Sequence, residues 1–158
     1  MKKHILCLGD SNTHGYCADP NDCADHGIRF NEDERWTCRL QTALGDKYLV
    51  TEEGLSGRTT VFVDPIHESM DALSVIYSLL KSHEVIDLLI IMLGTNDTGM
   101  AVEDFISNYK QLVQAIQTSY PYTDIIVNTV PPVPADHSNY PNMDQTKIDD
   151  FNMALLSM

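Results

Sequence analysis

Three short polar blocks hold residue types from which an acyl-transfer site can be built: Asp10-Ser11-Asn12, Ser56-Gly57-Arg58 and Asn96-Asp97. A serine hydroxyl can attack an ester carbonyl, whose oxygen then becomes an oxyanion. That charge needs preorganised donors about 3 Å away. The N–H beside Ser11, the N–H of Gly57 and the carboxamide of Asn96 could supply three. Glycine lets backbone approach a substrate with no Cβ in the way, and an asparagine amide donates while remaining neutral. Taken singly, each block is also the turn chemistry that any strand end needs. Chemistry becomes the better reading only if one crevice receives all three.

The surrounding pattern supplies such a crevice. Short apolar runs at 4–8, 48–51, 85–93 and 124–130 predict strands, and the run at 85–93 is continuous enough for a strand covered on both faces. Between and after them, apolar residues recur at helical spacing over 35–44, 71–83, 101–119 and 146–156. Residues 17–34, rich in Asp and Asn, predict a long excursion, and 131–141 a loop opened by Pro131-Pro132. Strand and helix alternating in this rhythm specify a parallel sheet with helices on both faces. Ligands of such sheets bind beyond the carboxyl ends of the strands. Three of the four predicted strands run into the three blocks there.

Composition bounds the partners. The chain has 158 residues, enough for one domain spanning 1–158. Ten Lys plus Arg against 23 Asp plus Glu give a net charge of −13, which repels nucleic acid and anionic membrane surfaces. No apolar stretch approaches the ~20 residues of a membrane-spanning helix. Cys7, Cys17, Cys23 and Cys38 form no C-x-x-C pair and no zinc-type spacing. They are expected as reduced thiols of a cytoplasmic protein. Neither a cofactor nor a metal is expected, since Asp10 and Asp97 are too few ligands for a divalent ion.

The run Ile5-Leu6-Cys7-Leu8-Gly9-Asp10-Ser11-Asn12-Thr13-His14-Gly15-Tyr16 resembles the first block of the SGNH, or GDSL-type, hydrolases. Glu53-Gly54-Leu55-Ser56-Gly57-Arg58-Thr59-Thr60 is similar to their second block, and Ile91-Met92-Leu93-Gly94-Thr95-Asn96-Asp97-Thr98 to their third. The likeness covers essentially the whole chain and is nearest to the small intracellular lysophospholipase-like, arylesterase or acyltransferase branch. It implies an esterase acting on small acylated molecules, with Ser11 as nucleophile. It also implies an oxyanion hole from the Ser11 N–H, the Gly57 N–H and Asn96. The implied fold is a flavodoxin-like three-layer α/β/α domain.

The family's fourth block, an Asp-x-x-His after a fifth strand, has no counterpart before Met158. The expectation is therefore a C-terminally incomplete domain of strand order 2-1-3-4, the fifth strand missing, with impaired activity because a serine without a base is a weak nucleophile. Its open sheet edge predicts self-association. His137, in Pro134-Ala135-Asp136-His137 after the fourth strand, is the best internal substitute base; His67 in Asp64-Pro65-Ile66-His67 and His14 rank below it. Supporting roles are expected for Asp10 and Asp97 as organisers of their loops. Arg58 is expected to pair with a carboxylate or touch substrate. Tyr16 and Phe30 are candidates for an acyl pocket, and Trp36 for core. The alternatives are an inactive fragment that binds in the crevice and a flavodoxin-like ligand-binding module.

Overall fold

A computed structural model of the chain describes residues 1–19, 21, 29–62, 70–83, 85–133 and 143–158. Its strands are β1 (Lys3–Gly9), β2 (Tyr48–Gly54), β3 (Leu88–Met92) and β4 (Asp124–Val127). They form one sheet in the order β2-β1-β3-β4, with every pairing parallel. The helices are α1 (Ser11–His14), α2 (Trp36–Leu44), α3 (Ala72–Lys81), α4 (Val102–Ser119) and α5 (Gln145–Leu156). The expected α/β architecture and strand order are therefore present.

Side chains alternate across a strand, and both central strands are apolar on both faces. Leu6, Leu8, Leu89 and Ile91 point to one side, where α3, α4 and α5 cover them with Ile76, Phe105, Tyr109, Phe151 and their neighbours. Phe105 stacks on Phe151 at 3.8 Å between ring centroids and meets Tyr109 edge-on. Ile5, Cys7 and Ile90 point to the other side, against Trp36, Leu40 and Leu44 of α2. Trp36 is thus core material, as its spacing predicts. Among the described residues, no helix is long and apolar enough to cross a membrane, and no group of three or more His, Cys, Asp or Glu could hold a metal ion.

Three strand boundaries differ from the periodicity by three residues each. β2 runs on through Glu52, Glu53 and Gly54, because an edge strand tolerates charge that a central one would not. β3 starts at Leu88 rather than at Val85. β4 stops at Val127; beyond it, the N–H and C=O of Val130 pair with the Asn152 side chain on α5 instead of a ladder. The thiols need one correction. Cys7 and Cys38 are free, whereas Cys17 is disulfide-bonded. Pairing depends on Cα separation in the folded chain, which spacing alone does not reveal.

Candidate active site

Ser11 opens α1 directly beyond β1. Asp10 caps that helix, accepting bonds from the Asn12 N–H at 2.9 Å and the Asn12 side-chain amide at 3.0 Å. Asp10 is 1% exposed, and burial pushes its carboxyl above the ordinary value against the pull of those Asn12 bonds. The first N–H groups of any helix lack intrahelical partners. The Ser11 N–H accordingly bonds no backbone carbonyl among the described residues. Its hydroxyl likewise has no hydrogen-bond partner among them.

Gly57 sits in the turn that follows β2. The Arg58 N–H bonds the Leu55 carbonyl at 3.0 Å, and Gly57 has φ +84°, the left-handed value that favours glycine at the third position of such a turn. The Gly57 N–H is also free of backbone partners among the described residues. Gly54, just before, lies so near α1 that a Cβ would fall 2.1 Å from the His14 nitrogen. Only glycine lets the end of β2 pack against the backbone after Ser11.

Asn96 follows β3 in a single 3₁₀ turn, Thr95–Asp97. Its side chain is exposed and donates one hydrogen to the Arg58 carbonyl at 2.9 Å. The carboxamide keeps a second hydrogen, because an NH₂ donates twice. Asp97 is buried and receives the Thr60 hydroxyl at 2.7 Å and the Thr60 N–H at 3.1 Å. Burial raises its carboxyl, and the Thr60 bonds oppose that shift.

Direct bonds tie the three loops together. Asn12 donates to the Thr95 hydroxyl at 3.0 Å, joining the first block to the third. Asn96 and Asp97 join the third to the second. Arg58 is buried and donates from Nη1 to the carbonyls of Gly9, at 3.1 Å, and Glu53, joining the second to the first. Burial lowers the Arg58 guanidinium from its ordinary value, while Glu53 and Asp10 raise it. Arg58 thus reaches backbone beneath the crevice. Ser11 lines a cavity of about 170 Å³ with Tyr16, Thr95 and the Pro131–Val133 segment; Asn96 lines a second, of about 160 Å³, with Phe62 and Met100. The Asn12–Thr95 bond lies along the side of the first. Phe30 lines neither.

His137 and His67 lie outside the described residues. His14 ends α1. His4 is at the opposite end of the sheet, bonded to Val85 and Thr51.

Sequence reasoning missed several supporting residues. Asn152 and Gln145 of α5 hold Val130 and Val133 on either side of Pro131-Pro132. Glu52 receives Arg29 at 2.7 Å, Arg35 at 3.2 Å and the Thr37 hydroxyl. Arg29 in turn donates to the His14 carbonyl at 2.6 Å, and Tyr16 bridges to Arg29. Glu52 thereby holds down the backbone that carries Tyr16. The one usable signal was the doubled proline, whose missing N–H groups leave its neighbours to find partners.

The comparisons agree with this architecture. None of the curated proteins matches the chain. Among solved structures, the native aryl esterase of M. smegmatis superposes with a TM-score of 0.86 at 35% identity, over 98% of this chain and 78% of that one. Est24, a carbohydrate acetylesterase from Sinorhizobium meliloti, superposes with 0.85 at 29% identity, over 99% and 79%. A lipase/acylhydrolase from Enterococcus faecalis shares the fold, with a TM-score of 0.65 at 22% identity over 98% and 70%. The profile of the GDSL-like lipase/acylhydrolase family matches residues 7–158. The chain therefore belongs to that family, the SGNH-type carboxylic ester hydrolases.

Proposed function

We propose that the chain is a serine esterase in which Ser11 takes the acyl group of a small ester. The hydroxyl oxygen attacks the carbonyl carbon and its proton passes to a base. The carbonyl oxygen becomes an oxyanion met by the N–H groups of Ser11 and Gly57 and the second hydrogen of the Asn96 amide. Collapse breaks the bond to the alcohol, which leaves with the proton. Water, giving a proton to the base, then attacks the acyl-Ser11 carbonyl; the acyl C–O bond breaks, the carboxylic acid leaves, and the base returns the proton to the Ser11 oxygen. Asp10, Asp97 and Arg58 act in this reading by holding the three loops in register. The single observation that carries it is that all three donors are uncommitted, on loops joined to one another by hydrogen bonds. The names of the neighbours, an aryl esterase and a carbohydrate acetylesterase, support an ester with a small acyl group.

In this reading His137 stands in as the base that takes the Ser11 proton. Hydrolysis of p-nitrophenyl acetate tests the proposal. Ser11→Ala should lower the rate at least tenfold, and Asn96→Ala should lower kcat by ~10²–10³, as loss of one oxyanion donor does. Equal rates for wild type and Ser11→Ala would end the reading.

A cytoplasmic location and self-association belong to the same proposal. For the first, the free thiols of Cys7 and Cys38 fit a reducing compartment, whereas the disulfide of Cys17 points the other way. For the second, β4 is paired on one side only among the described strands and its Ile126 is 46% exposed, an edge that recruits other chains. Light scattering should show species larger than a monomer at high concentration; a monodisperse monomer would refute this part.

A further inference from the structure

The Asn96 side chain is exposed, so packing does not fix its rotamer. Its direction is set by the bond to the Arg58 carbonyl at 2.9 Å and by the 3₁₀ turn that carries it. The next residue, Asp97, holds that turn at both ends. Its N–H bonds the Gly94 carbonyl at 3.0 Å, and its own carbonyl receives the Met100 N–H at 3.0 Å. The Asp97 side chain is buried, and both donors of Thr60 reach it, the hydroxyl at 2.7 Å and the N–H at 3.1 Å.

Thr60 is itself anchored from the other side. Its carbonyl takes the Leu73 N–H at 3.1 Å, and the Thr59 carbonyl takes the Ala72 N–H at 3.0 Å. Ala72 and Leu73 open α3, which Asp71 caps by accepting the Ser74 N–H at 2.7 Å. Ile76 and Leu80 hold that helix in the core. A short path therefore runs from α3 through Thr60 and Asp97 to Asn96. Residues 58–60 grip the third loop at two points, Asn96 at the Arg58 carbonyl and Asp97 at Thr60. Two bonds between short segments fix an angle, whereas one leaves a hinge. The hydroxyl makes the shorter bond to Asp97, and Thr60 is fully buried, so removing it strips a buried carboxyl of a donor. Asn12 steadies the first residue of the turn, Thr95, so that loss tilts the turn rather than releasing it.

We infer that Thr60 is a positioning residue for the Asn96 donor, its hydroxyl acting through Asp97. The inference rests on the Ser11 esterase reading for its effect on rate, and a readout without turnover separates the two. Thr60→Val keeps the branched shape and removes one donor. It should lower kcat for p-nitrophenyl acetate about tenfold, less than the ~10²–10³ expected of Asn96→Ala, with KM unchanged. Thr60→Ser restores the hydroxyl and should return kcat to within about threefold of wild type. On the Asn96→Ala background, Thr60→Val should alter kcat less than about twofold, because the group it positions is gone. Thr59→Val is the control: the Thr59 hydroxyl bonds the Phe62 carbonyl, not Asp97, and kcat should stay within about twofold of wild type.

Without turnover, the two side-chain amide protons of Asn96 report its setting in NMR spectra of the labelled chain. They should shift in Thr60→Val and stay in place in Thr59→Val. If Thr60→Val does not fold, Thr60→Cys replaces it, since a thiol is a weak donor. The same proton shift is expected there, with kcat at least about threefold below that of Thr60→Ser. Unmoved Asn96 protons in the folded variant would overturn the inference. So would a Thr60 effect of equal size with and without the Asn96 side chain, or an equal loss of kcat in Thr59→Val. If Ser11→Ala hydrolyses as fast as wild type while the Asn96 protons still move with Thr60, the esterase reading fails and the positioning stands. If hydrolysis depends on Ser11 and the protons do not move, only the positioning fails.

Discussion

The two faces of the sheet are held in different ways. On one, α3, α4 and α5 close over Leu6, Leu8, Leu89 and Ile91 with a continuous apolar core whose largest members are Phe105, Tyr109 and Phe151. On the other, α2 covers a much smaller cluster around Ile5, Cys7 and Ile90. There Glu52 collects Arg29, Arg35 and Thr37. Apolar burial is non-directional and scales with area, so the first face supplies stability. Charge-assisted bonds are directional, so the second supplies position: Glu52 fixes the segment from His14 to Tyr16 next to Ser11. One face keeps the fold together, and the other aims part of the site.

Substitutions can break that contrast. Phe105→Ala should have the largest effect, about 3–5 kcal/mol by denaturant unfolding, because it removes a fully buried ring stacked on Phe151. Emission of Trp36, the single tryptophan, should stay unchanged in the folded variant, since Trp36 packs on the other face. Glu52→Ala should lower stability less, by ~1–3 kcal/mol, because it strips Arg35, whose side chain is 9% exposed, of its carboxylate. It should move Trp36 emission. If Phe105→Ala shifts Trp36 emission as much as Glu52→Ala, the two faces are not separable.

The smallest effect is expected at Asp97, which unlike Glu52 meets only neutral donors, at Thr60. Burial raises its carboxyl above the ordinary 3.8. Between that value and the raised one, the folded chain holds more protons than the unfolded chain. Its contribution to stability therefore falls as pH rises through that window and stays lower above it. Asp97→Asn keeps an acceptor for Thr60 without the charge. The variant should gain on wild type as pH climbs from about 4, giving a shallower pH profile of the unfolding midpoint. An unchanged profile would mean that burial of the charge carries no penalty.

Much of this was legible because local patterns have local causes. The 3.6-residue period of Phe105, Tyr109, Leu112 and Ile116 specifies a helix with one buried face, as observed in α4. The apolar run at 85–93 specifies a strand covered on both sides, and the structure forms it over Leu88–Met92. The Asp-Ser-Asn, Ser-Gly-Arg and Asn-Asp blocks stood out because each couples reactive or donating groups to turn residues. Glu52 did not stand out. One carboxylate in an edge strand reads as solvated surface until Arg29 and Arg35 are seen to converge on it. Nor did Asn152 and Gln145, which lie on a helix far along the chain from the proline pair they serve.

What the sequence determined by itself was the list of elements, the parallel sheet and the residues able to do acyl chemistry, since periodicity and turn preference act over a few neighbouring residues. Only the tertiary structure decided which donors stay free, that Arg58 turns inward to the Gly9 and Glu53 carbonyls, and that Ser11 lines a cavity with Tyr16, Thr95 and the Pro131–Val133 segment. Those outcomes depend on contacts between segments tens of residues apart, and no short window of sequence contains both partners.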